Sequence, residues 1–292
     1  MDVVVAPLSS VLPGFPPGAI VAGVVCLGLQ IVLWVLFSYV LPRGPWRAEP
    51  GFTAHQCVAL PVVCYLGVVG LRAWTSTPLA GYETAFDRAT VPHETGSHLM
   101  HVVLGEIVLW DTPTGLAVRS LRQPAMIAHH VVMGILAYMG VRHSFCPYYS
   151  MVFFGLIELS SVPLALVDLT HPRHRAWVDY VKGKPVLEAV QLLSRALFAL
   201  LYFVVRLGVY PYYMHFSEHA FFRDVVALHA MKDPPLPAPA LVAIGVLAIF
   251  ITLLQVYWGR LIARQVWKQI SSSSSSSPRL QHAAAATTTK AD

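Results

Sequence analysis

Residues 124–142 read PAMIAHHVVMGILAYMGVR, a helix-length apolar stretch that contains two adjacent histidines, His129 and His130. About 20 predominantly apolar residues cross the hydrocarbon core of a bilayer, so this stretch predicts a transmembrane helix. Ionisable side chains inside a membrane are costly unless they meet polar partners, and they mark functional sites. The histidine pair is therefore the first candidate site of the chain.

The composition also indicates a membrane protein. Hydrophobic residues make up 56% of the 292 residues and charged residues only 12%, whereas a soluble domain carries roughly 25% charged residues. The net charge is +5, but the basic residues cluster at the ends of apolar runs, which favours topology and anionic lipid head groups over nucleic acid. We predict an all-α, polytopic bundle with no nucleic-acid partner.

Seven apolar segments are long enough to span the membrane, within a range of six to eight. They cover residues 17–41, 54–72, 99–118, 124–142, 148–169, 186–209 and 237–262. Most Lys and Arg residues follow the first, third and fifth segments or lie in the C-terminal tail, so the positive-inside rule predicts a cytosolic C-terminus. The opposite side is assigned Arg72, Arg88, Arg142, Arg206, Arg223 and Lys232.

These segments define three regions. Residues 1–53 form an N-terminal transmembrane helix and loop, and residues 54–268 form the main helical membrane domain. Residues 269–292 are a low-complexity tail of Ser, Ala and Thr runs, which we predict to be disordered because it has little apolar surface to bury.

Acidic residues lie on the segments that flank the histidine pair. Glu106 and Asp111 precede it, and Glu158 and Asp168 follow it. Adjacent helical residues point about 100° apart, so one histidine can act as base or nucleophile while a carboxylate orients the other. Such an arrangement suits acyl transfer. The structural alternative is that the histidines make interhelical hydrogen bonds to Asp111 or Glu158 and hold the bundle together.

Four runs of the sequence resemble one membrane domain. LWD at 109–111, MIAHH at 126–130, GILAY at 134–138 and ELSSVP at 158–163 are similar to the TLC domain. That domain is shared by translocation-associated membrane proteins, longevity-assurance ceramide synthases and the ceroid-lipofuscinosis membrane protein group. The resemblance covers about residues 54–267, and ELSSVP resembles the TLC-domain-containing branch more than the acidic run of ceramide synthases.

The resemblance implies a catalytic centre at His129 and His130, with Asp111 as the upstream acid. It also implies acyl-CoA as co-substrate, with no bound cofactor, and we predict no metal site. The expected function is membrane lipid homeostasis with an acyl-CoA-dependent acyltransferase site. We expect three further acidic residues to lie at the substrate cavity: Glu106, Glu158 and Asp168.

Two other functions stay open at this point. The chain could be a sphingoid-base N-acyltransferase, that is, a ceramide synthase, or a non-enzymatic lipid sensor or cargo receptor. Either transferase predicts an elongated apolar cavity that ends at the histidine pair, whereas the receptor predicts a packed core there. Expected partners are membrane lipids, acyl-CoA and a sphingoid base or lysophospholipid. The resemblance implies the endoplasmic reticulum, with the plasma membrane as the alternative location.

Overall fold

The structure is a computed structural model that describes residues 15–275. These residues form helices and loops, with no β-strand among them. The helices are α1 (Pro17–Val35, continued by Leu36–Val40), α2 (Pro50–Ser76), α3 (Ala85–Thr90), α4 (Glu94–Glu106, continued by Ile107–Asp111 and Thr112–Ala117), α5 (Pro124–His143), α6 (Pro147–Leu169), α7 (Arg175–Val181), α8 (Pro185–Leu201, continued by Tyr202–Val209 and Tyr212–Phe216), α9 (Phe221–His229) and α10 (Ala238–Ser275). The remainder of the predicted tail, residues 276–292, lies outside the described residues.

Six of these helical segments are long and apolar enough to cross a membrane. They are α1 with its continuation, α2, α5, α6, the stretch that holds α8 and α9, and α10. Proline stands in the first turn of α1, α2, α5, α6 and α8, where its missing N–H has no intrahelical acceptor to lose. The predicted class, an all-α polytopic membrane bundle, is confirmed.

The helix that forms at the predicted third span, α4, is not one of those six because it is more polar. It packs against α1, α2, α5 and α6, and Leu99, Val103 and Leu104 are buried. A helix enclosed by other helices does not have to face lipid, so it can carry polar residues at little cost. This enclosed helix carries both Glu106 and Asp111.

Small residues allow the helices around α4 to approach closely. A Cβ atom on Gly105 of α4 would collide with the backbone of Ala19 on α1, and one on Gly23 would meet the carbonyl of Gly105. A Cβ atom on Gly70 of α2 would likewise collide with the backbone of Gly155 on α6. Glycine contacts of this kind bring membrane helices together where lipid supplies no hydrophobic driving force.

Three loops gather on one side of the bundle, which we call the basic face. They are residues 41–49, 118–123 and 170–184. His174 Nδ1 lies 2.6 Å from a carboxylate oxygen of Glu49, and Trp177 Nε1 donates to Thr53 Oγ1 at 3.2 Å. The first turns of α2 and α5 and the last turns of α4 and α6 therefore lie close to this face.

Candidate active site

His129 and His130 lie in the second turn of α5, close to the basic face. His130 Nε2 lies 3.2 Å from Asp111 Oδ2. The two histidine rings are 5.6 Å apart, centre to centre, but they have different neighbours because they point in different directions. The structure thus brings the predicted acid together with one member of the pair.

A third histidine binds the same carboxylate, and the sequence analysis missed it. His55, in the second turn of α2, places Nε2 at 2.7 Å from Asp111 Oδ1. Its ring stacks on Trp110 at 5.0 Å. An ionised carboxylate only accepts hydrogen bonds, so His55 donates its Nε2–H to Asp111 Oδ1, whereas His130 Nε2 lies in electrostatic contact with Asp111 Oδ2 at 3.2 Å. Asp111 therefore joins α2, α4 and α5 through a His55–Asp111–His130 chain.

The other member of the pair, His129, faces α10. Its ring meets Trp258 edge to face at 5.4 Å. His129 Nδ1 is buried without a hydrogen-bond partner among residues 15–275, and the same holds for His55 Nδ1 and Gln255 Nε2. Buried polar atoms are nearly always paired, so unpaired ones call for an explanation. An imidazole nitrogen left without a protein partner can bind a ligand.

Glu158 contacts neither histidine but takes part in a neighbouring network. Arg206 Nη2 lies 3.3 Å from Glu158 Oε1, and Arg206 Nε donates to Ser160 Oγ at 2.6 Å. The same guanidinium reaches Ser161 Oγ at 2.8 Å and Gln255 Oε1 at 3.4 Å. Its charge also acts on His129. This network is thus electrostatically coupled to the histidine pair.

The sequence predicted Arg206 at the end of the sixth span and counted it on the non-cytosolic side, and the structure corrects this placement. Arg206 lies on the continuation of α8 and is 6% exposed. The predicted sixth span ended at residue 209, whereas the helix continues to Phe216. A guanidinium at this depth is tolerated because Glu158 and two serine hydroxyls satisfy it.

The other two predicted acids lie in different surroundings. Glu106 on α4 lies within electrostatic range of Asp111 and Glu158. Asp168, at the end of α6, accepts from Gln56 Nε2 at 3.1 Å and from Arg173 Nη2 at 2.6 Å. Asp168 therefore belongs to the basic face and, among the described contacts, touches neither histidine of the pair.

An apolar cavity of about 60 Å³ begins one turn from His129. Met133, Leu136 and Gly140 line it from α5, on the helix face that also carries His129. Ile251 and Ala248 line it from α10, on the face that carries Trp258. The cavity includes neither histidine and none of the predicted cavity acids, and it is too small to hold an acyl chain in this conformation.

No group of three or more His, Cys, Asp or Glu side chains within residues 15–275 is arranged to hold a metal ion. The polar groups that the structure does bring together here are imidazole, carboxylate and guanidinium groups. Proton transfer and charge stabilisation are the tasks that such groups perform.

Fold and site together define a polytopic helical membrane protein with an intramembrane His–Asp–His chain. The chain belongs to the TLC domain family, whose model matches residues 53–264. The matched segment contains the three histidines of the site, Asp111 and Arg206. No curated protein and no solved structure matches the chain.

Proposed function

We propose that this TLC-domain protein is an acyltransferase of membrane lipid homeostasis, with its reaction centre at His129 and His130. The observation that carries the proposal is the Asp111 carboxylate, which holds His130 from one side and His55 from the other. A carboxylate beside Nε2 favours the tautomer that carries its proton on Nε2 and leaves Nδ1 free. His130 Nδ1 is then the proton acceptor of the site.

The reaction uses acyl-CoA as donor and a lipid amine or hydroxyl as acceptor. The acceptor heteroatom bonds to the thioester carbonyl carbon, and its proton passes to His130 Nδ1. The carbon–sulfur bond breaks, and the thiolate takes the proton from the imidazolium to leave as the free thiol. Asp111 stabilises the imidazolium while it exists. His129, whose Nδ1 lacks a protein partner, contacts the reacting acyl group.

The apolar cavity next to His129 suits the chain of the acyl group. Its α5 and α10 walls continue the faces that carry His129 and Trp258, so a chain attached at the reaction centre would extend along them. The cavity has to widen from about 60 Å³ to accept more than a few methylene groups. The methionine in its wall, Met133, is flexible enough to allow this.

Sphingoid bases and lysophospholipids are the acceptor classes we propose. Both present an amine or hydroxyl near the membrane interface, and the histidine pair lies in the second turn from the basic face. We propose that the protein resides in the endoplasmic reticulum with its C-terminus in the cytosol, which places the basic face on the side where acyl-CoA is available.

The test is transfer of a labelled acyl group from acyl-CoA to a panel of sphingoid bases and lysophospholipids by membranes that contain the protein. We expect a His129→Ala/His130→Ala variant at matched abundance to lose the transfer. His143→Ala is the matched control because His143 is exposed at the other end of the same helix, and it should retain the activity. Transfer that survives the double substitution would refute the proposal.

A lipid-binding role without chemistry is the second candidate function. It is favoured by one observation, the small cavity that stops short of both histidines. In that case the His55–Asp111–His130 chain would hold three helices together. The same assay separates the two functions, since a sensor or cargo receptor would bind the lipids and transfer no acyl group to any of them.

A further inference from the structure

A second pocket, of about 510 Å³, opens at the basic face. Its walls come from four separate segments of the chain: the end of α1, the first turn of α2, the segment after α4 and the loop before α7. A volume of this size lies within the range of small-molecule binding sites. Neither the acyl-transfer step nor the apolar cavity described above uses it.

Two arginines line this pocket. The Arg119 side chain makes no hydrogen bond or ion pair with any residue in 15–275 and is exposed. Arg173 donates to Asp168 Oδ1 at 2.6 Å and to His174 Nε2 at 2.9 Å, which holds its guanidinium in place. One carboxylate, Glu49, lies in the same pocket, and its Oε2 is bonded to His174 Nδ1 at 2.6 Å.

The rest of the pocket consists of apolar side chains, Ser120 and helix amides. Trp34 forms one wall and is 38% exposed, and tryptophan favours the depth of the lipid head groups. The walls approach closely because position 51 is glycine: a Cβ atom there would lie 3.1 Å from Trp34 and Val118. The first amides of α2, at Gly51 and Phe52, have no intrahelical acceptor and favour an anion.

The pocket also lies directly above the histidine chain. His55 follows Gly51 by one turn of α2, about 6 Å along the axis. Asp111 precedes Val118 by two turns of α4 and its continuation, roughly 10 Å. Gln30 lies between the two sites, because its side chain donates to the Gly51 carbonyl at 3.0 Å and accepts from Trp110 Nε1 at 3.3 Å.

From this placement we infer that the pocket binds the phosphate group of an amphiphile, whose remaining part extends toward the His55–Asp111–His130 chain. The phosphate oxygens would be held by Arg119 and Arg173, since guanidinium groups match phosphate geometry in a bidentate way. The phosphate belongs either to a membrane phospholipid or to a soluble carrier such as coenzyme A. The role of this pocket in acyl transfer rests on the proposed function, whereas phosphate binding can be measured independently of it.

The experiment is a binding titration of the full-length protein in detergent micelles, followed by native mass spectrometry. The probes are coenzyme A, dioctanoyl phosphatidic acid and, as the probe without phosphate, dioctanoylglycerol. We expect Arg119→Gln to weaken binding of at least one phosphate probe by about tenfold, as expected for loss of a charge-assisted hydrogen bond. Arg119→Lys should lose less, because it keeps the charge. The Arg119 side chain has no described partner, so its replacement should leave the fold intact.

Arg175→Gln is the matched control, since Arg175 lies two residues beyond Arg173 and does not line the pocket. Binding of coenzyme A would identify a soluble carrier, and binding of phosphatidic acid alone would identify a membrane lipid. Equal affinities in Arg119→Gln and Arg175→Gln, or no binding of either phosphate probe, would overturn the inference. Phosphate binding in a wild-type protein that transfers no acyl group would refute the proposed function and leave the inference standing.

Discussion

Asp111 holds imidazoles from two other helices, one on each carboxylate oxygen. A charged group inside a membrane bundle needs such partners: His55 hydrogen-bonds one carboxylate oxygen, and His130 lies in electrostatic contact with the other. At the residue scale, the site is therefore a carboxylate between two imidazoles, next to a third histidine with an unpaired nitrogen.

Arg206 is the buried cation on which the neighbouring network depends. We predict that Arg206→Met lowers the free energy of unfolding by about 3–5 kcal/mol, because it leaves Glu158 charged and unpaired inside the bundle. Chemical unfolding in mixed micelles measures the change. Arg195→Met on the same helix is the control, since the Arg195 side chain makes no hydrogen bond or ion pair among the described residues, and it should change little. Equal stabilities of the two variants would contradict this account.

The sequence allowed part of this site to be predicted. The His pair and the upstream Asp111 could be identified because ionisable side chains are energetically costly inside apolar segments. The structure places Asp111 next to His130. His55 was missed, although it is the only histidine in its apolar segment, because its partner lies 56 residues away. Such a long-range contact depends on how the helices pack, so it cannot be predicted from local sequence patterns.

At the element scale, π-helical turns decide which residues face the site. Asp111 ends one such turn, over Ile107–Asp111, and Arg206 lies within another, over Tyr202–Val209. An extra residue in a helical turn rotates everything that follows, and such turns are frequent at functional sites. Regular 3.6-residue phasing therefore could not place Arg206, whereas the bounds of the regular helix α5 were predicted to within one residue.

The crossing of α1 and α4 depends on glycine. We predict that Gly105→Ala destabilises the protein by about 1–3 kcal/mol, because the added methyl group has to push α1 away. Gly28→Ala, on the lipid-facing side of α1, is the control, since no atom lies within 4 Å of its Cβ position. Thermal unfolding in detergent compares the two. A Gly105→Ala protein as stable as Gly28→Ala would show that the helices do not cross as described.

The first turn of α4 gives a pH-dependent contribution to stability. His93 is its N-cap: Nδ1 accepts from the Gly96 amide at 3.0 Å, which requires an unprotonated nitrogen. Burial lowers the pKa of His93 below its ordinary value, so the unfolded chain binds the proton at a higher pH than the folded protein does. The stabilisation is therefore present above about pH 6.5 and is lost as the pH falls toward the lowered folded pKa.

His93→Asn tests this contribution, because asparagine caps helices but does not titrate. We expect the unfolding temperature of the wild type to fall more steeply between about pH 7.5 and pH 5.5 than that of the variant. Thermal scans at matched ionic strength give both slopes. Identical slopes would mean that another group controls the acid response.

At the scale of the whole molecule, the loops of the basic face collect cations on one side of the bundle. Because Arg206 lies inside the bundle, it no longer counts among the basic residues of the opposite side. The predicted excess of Lys and Arg on the basic face therefore becomes larger. Polar residues inside the bundle lie on and around α4, which is not among the six segments that length and hydropathy identify as spans. The sequence predicted a span over residues 99–118, and a helix forms there; because it packs against four other helices, it can carry polar residues that a lipid-facing helix could not.

The orientation can be tested with single cysteines in a variant whose four native cysteines are replaced. We predict that Arg43→Cys, on the basic face, reacts with an impermeant maleimide in intact microsomes. Leu79→Cys, in the loop between α2 and α3, should react only after permeabilisation. The reverse pattern would place the basic face in the lumen, away from the cytosolic acyl-CoA that the proposed reaction requires.

We propose that Asp111 orients His130 and stabilises its protonated form during acyl transfer. The most direct measurement is the initial rate of acyl transfer by purified, reconstituted wild-type and Asp111→Asn proteins at equal folded concentration. An amide in place of the carboxylate no longer stabilises the imidazolium, so we predict a loss of roughly 100-fold or more. An Asp111→Asn protein that transfers acyl groups at the wild-type rate would contradict the claim.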